Sequence, residues 1–340
     1  MANQRYENFV LENRLKDQLE TKLSMLDYVT VDDTLAETAG MTKKINVYKA
    51  TGAAQDVAEG EGNTESIEMS YTPYEYKVGT TQARFIYTDE DAMTDPYMVD
   101  AGISKLAESL VNAMSVKVND EYWHATEYIT ASTIGFDEFS DAIAAFNKEG
   151  DNELSLFALC NPAMKGSLRK ALKDELKYVE DNVRTGYIGT VCGVPIIGDK
   201  LVPNGCVIIA TKEAVTYFRK KNVETEQDRD QNTRKNILYG RQVGVVAFTD
   251  ATQCVIIAPA GTAPVISTSS ISAGTNKAIA GTCTAGARVG IFVNDVQSGE
   301  ATVSGTNWSY TIPSVASGDT VKAVAYVKGY AGAEASKTVA

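Results

Sequence analysis

Along residues 5–27 leucine recurs at Leu11, Leu15, Leu19, Leu23 and Leu26, in steps of four and three, with Glu, Lys and Arg between them. That spacing predicts one amphipathic helix, too short for a self-sufficient coiled coil. Its stripe docks either on its own domain or, as an arm, on a neighbour. INVYK at 45–49 predicts a strand, and the glycine-punctuated, acidic stretch GAAQDVAEGEGNTESIEMS follows at 52–70. Ile67, Met69 and Tyr71 are then apolar at odd positions, and Tyr74, Tyr76 and Val78 at even ones. The phase flips at Pro73, which predicts an edge strand with a kink or bulge there. ARFIYT at 83–88 returns to a body, so the region reads as a long two-stranded arm. An isolated hairpin of this kind is marginal in water, and something else must hold it.

Asp95-Pro96 predicts a helix start, with Asp95 as N-cap and Pro96 at the first helical position. Val99, Ile103, Leu106, Leu110 and Ala113–Met114 form its buried stripe, running on towards Tyr122 and Trp123. A shorter helix is expected near 136–148, a strand over 154–160, and a helix after Asn161-Pro162. Strands are expected around VPII (194–197) and CVIIA (206–210), then a Thr211-capped helix holding Val215 and Phe218. A polar loop over 222–236 and two final strands, QVGVVAFT and QCVIIAP, close the body. Helices and strands alternate without a regular βαβ rhythm, which predicts an α+β body. From Thr262 the chain has no Met or Leu, and short strands alternate with turn signals. This predicts a small β-sandwich appended by the linker PAGTAP as a separate module.

Composition narrows the chemistry. The 340 residues carry 32 Lys and Arg against 44 Asp and Glu, a net charge of −12. The sandwich segment holds five basic and four acidic residues, so the acidity lies in the body. Such a balance argues against gripping nucleic acid, which needs clustered Lys and Arg. The opening residues lack the apolar core of a signal peptide, and no apolar run is long enough to span a membrane. Five scattered cysteines without a CxxC motif read as buried thiols in a reducing compartment. The one histidine, His124, leaves little for proton shuttling or zinc chemistry.

The individual motifs are weak. The acidic stretch fails as a calcium loop: counted from Asp56 its third position is Ala58, and counted from Glu59 its sixth is Thr64. TDED at 88–91 reads as a solvated turn, DRD at 228–230 as part of a charged loop, and GYIGTVCG at 186–193 as a turn between strands. Cys160 sits at a strand end but has only the distant His124 as a base. Trp308 reads first as sandwich core and second as a sugar-stacking platform. No catalytic constellation emerges, and no metal or cofactor is expected.

Taken in order, an amphipathic N-terminal arm, a hairpin arm, one long helix and a compact mixed domain resemble a tailed-bacteriophage major capsid protein of the Hong Kong 97 type. The strings INVYKATGAAQDVAEGE, GYIGTVCGVPIIGDKLVPNG with CVIIATKEAVTYF, and NVETEQDRDQNTRKNILYGRQVGVVAF with ATQCVII carry that resemblance over about residues 1–260. GTCTAGARVGIFVND and GTNWSYTIPSVASGDTVKAVAYVKG resemble bacterial immunoglobulin-like domains. The implied division is an N-terminal arm (1–42), an extended loop (43–88), a peripheral domain with a spine helix (89–150) and an axial domain (151–236). Closing strands (237–261) and an immunoglobulin-like domain (262–340) complete it.

The resemblance implies a non-enzymatic protein that self-assembles into hexamers and pentamers of an icosahedral head around double-stranded DNA. It would be made in the host cytoplasm and reside in the virion. Asp56, Glu59, Glu61 and Glu65 would lie at the loop tip and meet basic residues of a neighbouring subunit, with Lys77 and Arg84 as return partners. Leu11, Leu15, Leu19 and Leu23 would dock the N-arm. With about forty residues before the hairpin, a separate scaffolding protein is the expected partner, beside a portal and, on some shells, a decoration protein. Trp308, Tyr310, Tyr326 and Tyr330 are the candidates for glycan or host-surface contact on an outward-facing sandwich. A tail-tube subunit, with a β-dominated body, is the rival reading.

Overall fold

A computed structural model describes residues 25–36, 40–51, 56, 62, 66–95, 97–146, 155–171 and 189–340. The strands begin with β1 (Thr30–Asp32), β2 (Thr42–Thr51), β3 (Glu68–Lys77) and β4 (Gly79–Thr88). Helices α1 (Asp89–Thr94) and α2 (Met98–Tyr122) follow, then β5 (Glu127–Thr130), α3 (Phe136–Ala145), β6 (Phe157–Cys160) and α4 (Pro162–Ala171). Next come β7 (Thr190–Val191), β8 (Val194–Gly198), β9 (Val207–Ala210), β10 (Val215–Asp230), β11 (Lys235–Phe248) and β12 (Cys254–Ala258). The chain forms two compact units, one of residues up to Lys117 with Val215–Thr249, the other of Val118–Ala214 with Asp250–Ala340.

In the first unit a four-stranded sheet has the order β1-β10-β11-β4. On its inner face Ala83, Phe85, Val223 and Leu238 meet Ile103, Leu106, Ala107, Leu110 and Val111 of α2. The expected stripe of the long helix is thus the core of this unit. Gly102 allows the closest approach, because a Cβ there would lie 2.3 Å from the Phe85 ring. Gly102→Ala should therefore lower the urea midpoint. Overpacking at about 1–3 kcal/mol outweighs the gain of about 1 kcal/mol in helix propensity; an unchanged or raised midpoint would show that the ring yields freely.

Residues 215–236 correct the expected helix and polar loop. They form β10, the turn and the start of β11, and they belong to the first unit and not with the mixed sheet of the second. Thr211 caps no helix; its hydroxyl donates to Gln253 Oε1 at 3.2 Å. Two register shifts, between Arg219 and Lys221 and between Lys221 and Glu224, interrupt the two-residue period and hide the strand from pattern reading. The DRD triplet is accordingly the end of a strand. TDED is no solvated turn either: Thr88 and Asp91 form a reciprocal capping box that starts α1. Asp95 ends α1, and its carboxylate accepts from the Tyr97 N–H at 3.0 Å, one turn before α2 begins. Pro96 lies outside the described residues.

The second unit holds a six-stranded mixed sheet, β5-β12-β9-β6-β8-β7. Its central strands β6, β9 and β12 are buried along their whole length, as their unbroken apolar runs predict. Phe139 and Ala142 of α3 and Met164 and Leu168 of α4 share that core. The expected turn before β8 is a two-residue hairpin in which Cys192 and Gly193 both take positive φ, 48° and 80°.

The remaining strands are β13 (Val265–Ile266), β14 (Gly274–Thr282), β15 (Arg288–Val293) and β16 (Val296–Glu300). They continue with β17 (Thr302–Ser304), β18 (Asn307–Val315), β19 (Thr320–Tyr326) and β20 (Ala333–Thr338). They build two four-stranded sheets, β13-β14-β18-β17 and β16-β15-β19-β20, around one core of Ile279, Val289, Ile291, Trp308, Ile312 and Val321. The sandwich has two sheets and a core of its own. It belongs to the same compact unit as the mixed sheet.

Candidate assembly surfaces

β2 and β3 pair antiparallel over ten rungs, from Thr42↔Lys77 to Thr51↔Glu68, as a sheet of two strands. Register is continuous through Pro73 opposite Asn46, so no bulge marks the phase flip. A proline is tolerated there because a two-stranded ribbon consists of edges. The root is firmly held. Val78 is buried with Leu35, Phe218 and Ala247, and the Tyr76 hydroxyl donates to the Phe248 carbonyl at 3.3 Å. The Lys43 ammonium lies 4.4 Å from the Phe218 ring centroid. Further out, Lys44 and Glu75 face each other across the ribbon at 2.5 Å. Their mutual hydrogen bond raises the lysine pKa and lowers that of the carboxylate.

Towards the far end Ile67 and Met69 are 64% and 66% exposed. Two large apolar side chains that close, on a ribbon pinned at its other end, form an apolar patch that the described part of the chain leaves uncovered. Asp56 is exposed, while Glu59, Glu61 and Glu65 lie outside the described residues, as do Leu11, Leu15, Leu19 and Leu23. Lys77 is exposed at the root, opposite Thr42. Arg84 points out of the first unit's sheet, on a rung with Tyr239 and Glu226.

That outward face carries rungs Glu224–Arg241–Gln82, Glu226–Tyr239–Arg84 and Asp228–Ile237–Ile86. An open depression of about 490 Å³ lies over it, lined by Gln82, Glu224, Glu226, Gln227, Asp228, Tyr239 and Arg241. Burial alone would raise the Glu224 pKa, but hydrogen bonds from Lys221 and Arg241 bring it below the usual range. A carboxylate depressed on folding adds stability above its unfolded pKa, about 4.3, and loses it as pH falls through the folded value. Glu224→Gln should therefore lower the urea midpoint at pH 7, and the gap from the parent should close as pH drops below about 4. A pH-independent gap would assign the loss to packing.

At the far end of β10 and β11 the acidic start of α1 is gripped. Arg229 meets Asp89 at 2.6 Å, Asn236 donates to the other Asp89 oxygen at 2.7 Å, and Arg234 lies 3.4 Å from Glu90. On this braced element Met93 is 81% exposed, and Tyr97, in the connection to α2, is 79% exposed. Neither was singled out from the sequence; for Met93 the available signal was an apolar residue in the acidic string DEDAMTD.

Cys160, Cys206 and Cys254 are buried and hold their protons at neutral pH. Burial pushes Cys160 and Cys206 each up to about 11 and Cys254 higher still. His124 pairs with Glu121 at 2.8 Å on its own helical turn. Among the described residues no cluster of His, Cys, Asp and Glu could hold a metal ion, and no helix is long and apolar enough to cross a membrane.

The aromatic quartet of the sandwich does not form one surface. Trp308 is core, its indole N–H donating to the Thr282 carbonyl at 3.3 Å. The Tyr310 hydroxyl donates to the Ser298 carbonyl at 2.7 Å, and Tyr326 is buried. Tyr330 alone of the four is substantially exposed.

No family model matches the chain. It is 28% identical over 254 residues to the major capsid protein of Staphylococcus phage phiMR11, covering 73% of this chain and 91% of that one. Among solved structures it is similar to the capsid of a native GTA particle, with TM-score 0.58, 11% identity and 69% and 89% of the two chains covered. The bacteriophage PhiM1 mature capsid gives 0.56, 12%, 68% and 85%. A virus-like particle from Pyrococcus furiosus gives 0.52, 14%, 73% and 98%. The body therefore has the fold of Hong Kong 97-type capsid proteins, and the chain resembles a phage major capsid protein over most of its length. The 25-residue α2 counts against a β-dominated tail-tube subunit.

Proposed function

We propose that this chain, similar as it is to phage major capsid proteins, is the shell subunit of a phage head, assembled as hexamers and pentamers around double-stranded DNA. The observation that carries the reading is the ribbon of β2 and β3: pinned at its root, a sheet of two strands among the described residues, and apolar near its far end. On a body with a capsid fold, a neighbouring subunit is the surface that would cover it. Glu59, Glu61 and Glu65 at its tip would meet basic residues next door, Arg84 on the outward sheet face would accept acids from a neighbour, and the Leu11–Leu23 stripe would dock a second arm. The first unit takes the role of extended loop and peripheral domain, and the mixed sheet that of axial domain.

The sandwich, immunoglobulin-like in its two sheets, is placed on the outer surface, with Tyr330 as its remaining candidate for glycan or host-surface contact. A net charge of −12 suits a wall that must not adhere to packed DNA. Scaffold and portal are further partners in this reading, and a decoration protein is an optional one.

Negative-stain microscopy with light scattering on the purified full chain, alone and with a candidate scaffold co-expressed, tests it. Closed shells or free hexamers and pentamers support the proposal. Stacked rings, tubes or a persistent monomer in the presence of scaffold would sink it.

A further inference from the structure

We infer that the body of this chain carries a built docking site for its own C-terminal sandwich, which is held in one orientation as a fixed rib and not displayed on a tether. The contacts are of several chemical kinds. The rings of Tyr128 on β5 and Tyr326 on β19 stack with centroids 5.8 Å apart and planes at 29°. Within the sandwich the Arg288 guanidinium lies 4.8 Å from the Tyr326 centroid, on the ring that Tyr128 meets. The β19–β20 loop reaches the body through its backbone: the Ala331 N–H donates to the Pro259 carbonyl at 2.7 Å, and the Cys206 thiol donates to the Gly329 carbonyl at 3.2 Å. Lys328 meets Asp120 at 2.6 Å.

The supposed linker is shaped to this loop. A Cβ on Gly261 would lie 2.3 Å from the Ala331 carbonyl oxygen, and Gly329 sits against Pro203. Cys206 is fully buried beneath the loop, so removing the sandwich would open a face of the body. The inference concerns the single chain and stands whether or not the protein builds a shell.

A zero-length carbodiimide on the folded full chain tests it, because Lys328 and Asp120 are close enough to be joined directly. Mass spectrometry should find their two tryptic peptides linked, and the link should vanish in Lys328→Met while the fold is unchanged. The Ala331 amide should also exchange slowly with deuterium. Gly261→Ala should cut the linked fraction and speed proteolysis within 259–264 by about tenfold or more as the local contact opens. If the unaltered folded chain gives no link and rapid exchange at Ala331, or if Gly261→Ala changes neither link nor cleavage, the sandwich is tethered and the inference is wrong.

Discussion

Replacing Trp308 with alanine is expected to cost about 3–5 kcal/mol, the range for deleting a buried large aromatic, the largest stability loss we anticipate from one substitution in the sandwich. The indole is 2% exposed and sits among Ile279, Ile291 and Ile312. Its rung partner is Gly281, where a Cβ would lie 2.6 Å from the ring and 1.8 Å from the Val265 carbonyl oxygen. Backbone thus closes around the ring on that side, and the walls cannot collapse far into the space it leaves. The Thr282 carbonyl also loses its donor. Calorimetry or far-UV circular dichroism in denaturant measures the loss; fluorescence would not serve, since the substitution removes one of two tryptophans. Trp308→Phe should lie between the two. A loss under about 1 kcal/mol would contradict a core role and return the ring to consideration as a ligand platform.

The second large effect is on assembly and should leave the fold alone. Ile67→Asp with Met69→Asp replaces two exposed side chains, and such surface changes shift stability by no more than about 0.5 kcal/mol each. If the ribbon lies on a neighbour, each apolar side chain that would have been buried there contributes about 1.5–3 kcal/mol, and a buried carboxylate adds a desolvation cost. Summed over every subunit of a closed particle, the loss should abolish shells while the chain remains folded. Light scattering and microscopy beside a matched denaturation curve separate the two readouts. Normal shells from the doubly substituted chain would place the contact elsewhere, with Met93 and Tyr97 the next residues to change.

Much of this was legible wherever one physical signal dominated. The four-and-three spacing of Ile103, Leu106 and Leu110 is the period of a buried helix face. FALC, VIIA and CVIIA are too uniformly apolar to be anything but central strands or core. The ribbon was legible as an arm because its alternation is long, although Pro73 suggested a bulge that the register does not contain. β10 was not legible. Its first four residues are buried on both faces, two bulges then shift the phase, and the outer half is charged because its acids pair across the strand with Arg241 and, at the tip, Arg229 reaches Asp89. Cross-strand charge pairing looks like a loop when read along one strand. The docking of the sandwich was likewise hidden: PAGTAP has the composition of a linker, and only tertiary contact gives its glycine a packing role.

The order in which the chain crosses between its units bears on when the protein becomes competent. It leaves the second unit after Ala214 and returns at Asp250, so β4 must wait for β11, a partner roughly 150 residues later. Until that segment leaves the ribosome, Ile103, Leu106 and Leu110 have neither Val223 nor Leu238 to cover them, and the ribbon's root lacks Phe218 and Ala247. Pairings so distant form late. Translation thereby acts as a timer: the nascent chain cannot fix the root of its ribbon until most of it has been made. A ribosome-held chain ending at Ala214 should be cut within α2 by protease, whereas the released full chain should resist.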